Sequence, residues 1–334
     1  MPNQISLPKG FQTILDEVYR KAACTSVLDS SPKDLRPTQN LHEFCYPQLE
    51  VGGLGDYDRA SGYTSNKGVS LDWKTVTADY DRGTKIMVDV MDNQESFDLA
   101  FGKAAGTLLR DHVAPEGDAF TFAKIAALSG ISIDTATINN GAQFLEAILT
   151  ASTEMDEDEV PEEQRYLFTT STLLNSVKAL DTTKSREALE GFAGIIKVPR
   201  GRFYTAIDLL SGRDPGELDG GWQPSKGGYQ KTADTGLVSG KDYYTKSGTT
   251  YTKVTSPQES SIADYYEKVG EGKRINFLII HKPAIIKYDR HVAGPNVIQA
   301  ANNPDADADI VKYRKYGVVD GYANKRAGIY LSHQ

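Results

Sequence analysis

The sequence is poor in the residues that build reactive or metal centres: its 334 residues include two cysteines, two tryptophans, four methionines and five histidines. Cys24 and Cys45 form one conceivable pair, but their spacing matches neither a disulfide framework nor a metal knuckle, so a reducing compartment is expected. The histidines (His42, His112, His281, His291, His333) are scattered. No two have the four-residue spacing that places a pair of imidazoles on one helix face, and His112 reads as a core-edge or interface residue. Nothing approaches the ~18 consecutive apolar residues of a transmembrane helix. The start, Met1-Pro2-Asn3-Gln4-Ile5, lacks a basic flank and an apolar core, so neither a signal peptide nor a membrane partner is expected.

Catalytic fingerprints are equally scarce. Gly53-Leu54-Gly55 opens like a dinucleotide loop, but Asp58 stands where the third glycine belongs, and a turn within a ribbon is the wrong context. Gly240-Lys241 and Gly272-Lys273 lack the upstream glycine and following hydroxyl of a phosphate loop. No Gly-x-Ser-x-Gly elbow occurs. Asp305, Asp307 and Asp309 alternate as at the head of a calcium loop, yet Ile310 occupies the glycine position and no glutamate closes the loop, so a solvated turn is the reading. No catalytic, cofactor-binding or metal-binding residue is assigned, and no enzyme is expected.

Charge of one sign is also limited. The 45 acids outnumber the 37 bases by eight, but seven acids lie in residues 154–163, read here as an exposed acidic loop. The remainder, 38 against 37, is nearly neutral, so overall acidity says little about partners, although it removes the simplest argument for nucleic-acid binding.

What is present is a change of period along the chain. Phe11, Ile14, Leu15, Val18 and Tyr19 fall at helical spacing, predicting an arm over 11–28. Val69, Leu71 and Trp73, then Ile86, Val88 and Val90, alternate with polar residues or methionine, predicting a long two-stranded ribbon over 50–91 with a turn at Thr64–Gly68. A ribbon of that kind is marginal alone and leans on something else. A long, kinked helix over 95–129 follows, about 50 Å at 1.5 Å per residue, with Pro115 in the first turn of its second half. Such a helix beside a ribbon suggests a flat, extended subunit. Further helices are expected over 142–153 and from Ser171, which is read as a cap. Strands are expected at Tyr166–Phe168, 194–209 and 275–286, and a hairpin over Val311–Leu331 turning near Asn324-Lys325. Residues 224–267 hold six of the 18 tyrosines in short Tyr/Thr runs between Ser-Gly turns, which reads as an inserted β module.

The ordered set resembles the major capsid proteins of tailed phages with the Hong Kong 97-type fold. Leu15-Asp16-Glu17-Val18-Tyr19 with Leu28-Asp29 is similar to the arm. Gly53 to Arg59, Gly62-Tyr63, Trp73 and Asp81-Arg82-Gly83 resemble the extended loop. Asp92-Asn93 with Phe97 to Ala127 resembles the spine helix. Val160 to Arg165, Val198 to Phe203 and Ile275 to Lys282 resemble axial-domain elements, and Tyr316 to Asp320 through Tyr330 the closing hairpin. The resemblance spans nearly all the chain outside 224–267.

It implies an α+β fold with an amino-terminal arm (1–49), extended loop (50–91), spine helix and peripheral domain (92–141), axial domain (142–223 and 269–295), inserted small β domain (224–268) and closing peripheral hairpin (296–334). It implies a homo-oligomer of pentamers and hexamers forming an icosahedral shell around double-stranded DNA contacted non-specifically. A portal protein and a separate scaffolding protein would be partners, since no long charged helical segment precedes the arm. The setting would be the virion, assembled in the bacterial host cytoplasm, with no cofactor. Asn66 and Lys67 at the ribbon tip, with Tyr57, Arg59, Trp73 and Arg82, are the expected inter-subunit contacts. Some family members form a Lys–Asn isopeptide bond; Lys67 with Asn302, Asn303 or Asn324 would be the candidates here. The insert is expected to protrude and to play no part in closure. An encapsulin-like cargo compartment shares the fold, and a surface- or glycan-binding protein acting through the Tyr-rich insert is the alternative of another class.

Overall fold

A computed structural model describes residues 23–30, 36–37, 43–53, 57–60, 62–63, 68–78, 80–91, 106–180, 183–213, 220–232, 237, 242–248 and 250–334. The expected helix of the arm over 11–22, the first half of the long helix, and Asn66 and Lys67 lie outside them. The chain forms two compact units. Ser26–Thr107 and Ile285–Asp320 belong to one, Leu108–Ala284 and Gly321–Gln334 to the other, which also takes in Cys24 and Thr25.

In the first unit, Glu43–Val51 pairs antiparallel with Val69–Thr77 over nine positions. Tyr80–Asp89 pairs antiparallel with Ala308–Gly321 over ten, and Ile285–Ile298 lies on the far side of that strand. The ribbon therefore differs from the expected one. Its second strand finds its partner upstream, at 43–51, while 80–89 joins another sheet. Period-two alternation identifies a strand without naming its partner. Phe44 anchors the core, 5.4 Å edge-on from Tyr288 and 6.0 Å stacked on Tyr316. At Gly317 a Cβ would stand 2.4 Å from Asp289 Oδ1, so that carboxylate occupies the space a side chain would need.

The second unit is built on a five-stranded mixed sheet in the order Ser132–Thr135, Ile329–His333, Ile275–His281, Arg165–Thr170, Gly194–Val198. The central run Ile275-Asn276-Phe277-Leu278-Ile279-Ile280 is buried throughout, because both faces are covered. On one face, the helix Gly141–Glu157 places Phe144, Ile148, Ala151 and Met155 against Leu167, Phe277 and Ile279. Asn140 caps it, its side-chain oxygen accepting from Gln143 N–H at 2.9 Å. On the other, the helix Ala114–Ala126 packs Phe122 edge-on against Phe168 and Phe203, at 5.6 and 4.9 Å. A π-helical turn, Leu108–Val113, precedes it, so the expected break sits just ahead of Pro115. This helix ends at Ala126, three residues short of the expected end at 129.

Three other expectations change. The strands on either side of Asn324 do not pair with each other: Ala308–Gly321 bonds to Tyr80–Asp89, and Ile329–His333 to Ile275–His281 and Ser132–Thr135. The six-residue 3-10 segment Ala323–Gly328 redirects the chain between sheets, so there is no hairpin. Thr170, not Ser171, occupies the N-cap position of the helix Ser171–Lys178, and it makes no side-chain cap. The acidic stretch is half helical: residues 154–157 complete the helix, Met155 is buried, and Asp156 binds the buried Arg165 guanidinium at 2.7 Å. Burying one residue per turn draws an otherwise charged segment into the helix.

The insert is a four-stranded antiparallel sheet in the order Lys226–Lys231, Tyr266–Glu271, Tyr244–Ser247, Thr250–Lys253, over a small core of Tyr243, Ile262 and Tyr265.

Candidate assembly surface

The ribbon carries an exposed apolar face. Register sets Pro47 opposite Trp73, Leu49 opposite Leu71 and Val51 opposite Val69, and side-chain alternation puts all six on one face. That face is open: Leu49 and Leu71 are 56% and 54% exposed, Val51 and Val69 both 68%, Trp73 49%. The other face pairs Tyr46 with Lys74, Gln48 with Asp72 and Glu50 with Ser70. There Gln48 is buried, donating to Glu50 Oε1 at 3.2 Å, while its own Oε1 has no protein partner. Glu50, Ser70, Asp72 and Lys74 on that face are exposed as their polarity allows, whereas a contiguous ladder of exposed Leu, Val and Trp marks an interaction surface. Elsewhere, Leu149 and Leu180 are exposed beside Leu145 in an open apolar groove along the helix Gly141–Glu157.

Of the expected contact residues, the structure brings Trp73 into the apolar ladder. Tyr57, 61% exposed, pairs with Tyr63 in a short separate hairpin. Arg59 follows in the exposed turn where Asp58 Oδ1 accepts from Ala60 N–H. Arg82 stands opposite Lys315 in the other sheet of that unit, next to the Asp81–Arg314 ion pair. Asn302 and Asn324 are exposed, whereas both polar atoms of the Asn303 carboxamide are engaged locally, donating to Ala308 O and accepting from Asp305 N–H. Leu49, Val51 and Pro47 were missed by sequence reasoning. The alternation Pro47, Leu49, Val51 was the available signal, but a mid-strand proline masks it.

The shifted titrations oppose reactivity. Cys24 and Cys45 are free thiols. Burial, then the nearby Asp118 carboxylate, pushes the Cys24 thiol up to about 11. Asp118, itself buried, accepts from Cys24 N–H, Thr25 N–H and the Thr25 hydroxyl and binds Arg202 at 3.0 Å, pinning the segment to the helix Ala114–Ala126. The thiol stays neutral below that pKa, so iodoacetamide should alkylate Cys24 at pH 7.5 about a hundredfold more slowly than an ordinary thiol, with the rate rising toward pH 11. Peptide mass spectrometry reads this directly, and rapid labelling at neutral pH would contradict the raised pKa. Burial likewise drives Tyr330 up to about 12, helped by Glu154 and Asp134. Asp309 accepts from Ala300 N–H at 2.8 Å. His112 lies exposed on the π-helical turn, not at a core edge. Among the described residues no cluster of three His, Cys, Asp or Glu side chains forms a metal site, and no helix is long and apolar enough to cross a membrane.

No protein-family model and no curated protein matches the sequence. Solved structures do match. The mature capsid of bacteriophage PhiM1 is 11% identical, with 87% of this chain and 82% of that chain covered, at a TM-score of 0.50. The capsid of Myoviridae phage XM1 is 7% identical, covering 87% and 85%, at 0.47. A virus-like particle from Pyrococcus furiosus is 12% identical, covering 97% and 98%, at 0.46. The α+β architecture follows the first of these over most of both chains, and the chain has the Hong Kong 97-type fold of tailed-phage capsid proteins.

Proposed function

We propose that the chain is the major capsid subunit of a tailed phage, and that its activity is self-assembly into pentamers and hexamers of an icosahedral shell around double-stranded DNA. The observation that carries this reading is the exposed apolar ladder of the ribbon. A row of exposed Leu, Val and Trp side chains gains by burial, and in a shell of identical subunits the surface that buries it is a neighbouring copy. Repeated heterologous contacts between identical subunits close into rings when the rotation allows. The near-neutral charge outside residues 154–163 keeps mutual repulsion low. Tyr57, Arg59 and Arg82 would lie at or near the same contacts. A portal, a separate scaffolding protein and non-specific contact with packaged DNA complete the proposal, with the virion as the final location.

Purified protein, alone and with a candidate scaffolding protein, should give rings or closed shells by electron microscopy and a fast-sedimenting peak. A monomer persisting at high concentration in both conditions would overturn the reading.

A further inference from the structure

The inserted sheet has a second face that its core does not use. Its register sets Tyr229 opposite Lys268, Lys231 opposite Tyr266, Tyr244 opposite Lys253 and Lys246 opposite Tyr251. Tyr244 also stands opposite Tyr266, joining the two halves. Alternation puts all eight on one face, while the core residues Tyr243 and Tyr265, and the acids Glu267 and Glu271, fall on the other. The four lysines are exposed and the four tyrosines half-buried. The rings form one patch: Tyr229 stacks on Tyr251 at 4.3 Å and 8°, Tyr244 meets Tyr229 edge-on at 4.9 Å, and Tyr266 meets Tyr251 edge-on at 5.2 Å. Lys246 Nζ lies 5.6 and 5.9 Å from the Tyr251 and Tyr266 centroids. Asp242 lies at this rim, 2.7 Å from Lys253 Nζ.

We propose that this face binds an acidic polysaccharide, a sugar chain bearing carboxylates. Sugar rings present C–H faces and hydroxyls that suit a tyrosine surface with its phenolic edges, and the chain's carboxylates complement the four exposed lysine ammonium groups. A neutral glycan would leave the lysines without a role. Single-stranded nucleic acid shares the negative charge and also stacks on aromatic rings, so oligothymidine is the competing ligand in the test. The proposal stands on the insert alone and does not depend on shell assembly.

The probe is alginate, a polyuronate, titrated into the full chain beside neutral dextran and oligothymidine. Alginate should bind at about 50 mM salt and weaken by about tenfold by 200 mM as the lysine contacts are screened. It should be lost when Lys231, Lys246, Lys253 and Lys268 are all changed to Gln. These side chains are exposed, so the variant should keep the wild-type circular dichroism spectrum and melting temperature. Dextran should not bind. Absence of alginate binding at low salt, binding undiminished in the four-lysine variant, or oligothymidine binding more tightly than alginate and lost in that variant would each overturn the proposal, the last in favour of nucleic acid.

Discussion

Asp289→Ala should destabilise the unassembled subunit by about 3–5 kcal/mol, the cost of breaking a buried charge pair. Lys287 and Lys315 are 3% and 2% exposed, and both ammonium groups reach the Asp289 carboxylate, at 3.6 and 2.9 Å. Asp29 also pairs with Lys287, and Lys315 Nζ lies 5.5 Å from the Tyr80 ring centroid. Removing the carboxylate takes away the anion that two buried cations share. Adding Lys315→Met should restore part of the loss, because an apolar side chain over Tyr80 carries no charge to desolvate. Urea denaturation of the two variants beside wild type checks this. A wild-type midpoint for Asp289→Ala, or a double variant less stable than the single, would show that the cluster does not hold this unit together.

Leu49→Lys with Leu71→Lys should abolish shells while leaving the subunit folded. Both side chains are already more than half exposed, so the isolated chain loses little. At a subunit contact, the remaining burial of two leucines is worth about 2 kcal/mol, or roughly thirtyfold in association constant, and two lysines add a desolvation cost. The loss recurs at every equivalent contact, so a moderate penalty per contact becomes failure of the whole particle. Sedimentation velocity and electron microscopy should show soluble subunits with an unchanged melting curve. Shells at wild-type yield would remove the ribbon from the assembly surface.

Much of the fold was legible in local pattern. The strand at 165–170, the helix at 141–157, the break before Pro115 and the Tyr-rich β insert each follow from periodicity or turn chemistry within one short window. Trp73 was legible as a contact candidate for the same reason, since it belongs to an alternating run. The pairing errors share one cause. Val69–Thr77 and Tyr80–Asp89 are separated by two residues yet take different partners, and Ala308–Gly321 and Ile329–His333 belong to different sheets.

By itself, then, the sequence determined element types, the near-neutral background with one acidic stretch, and the scarcity of reactive side chains, all of which depend on neighbours a few residues away. Tertiary structure alone decided that Leu49 faces Leu71 on an open ladder, that Asp289 lies between two buried lysines, and that four tyrosines meet four lysines on one face of the insert. A period of two says that a residue faces one side or the other. Which side is covered depends on the strand that arrives from elsewhere in the chain, and that choice is made by packing.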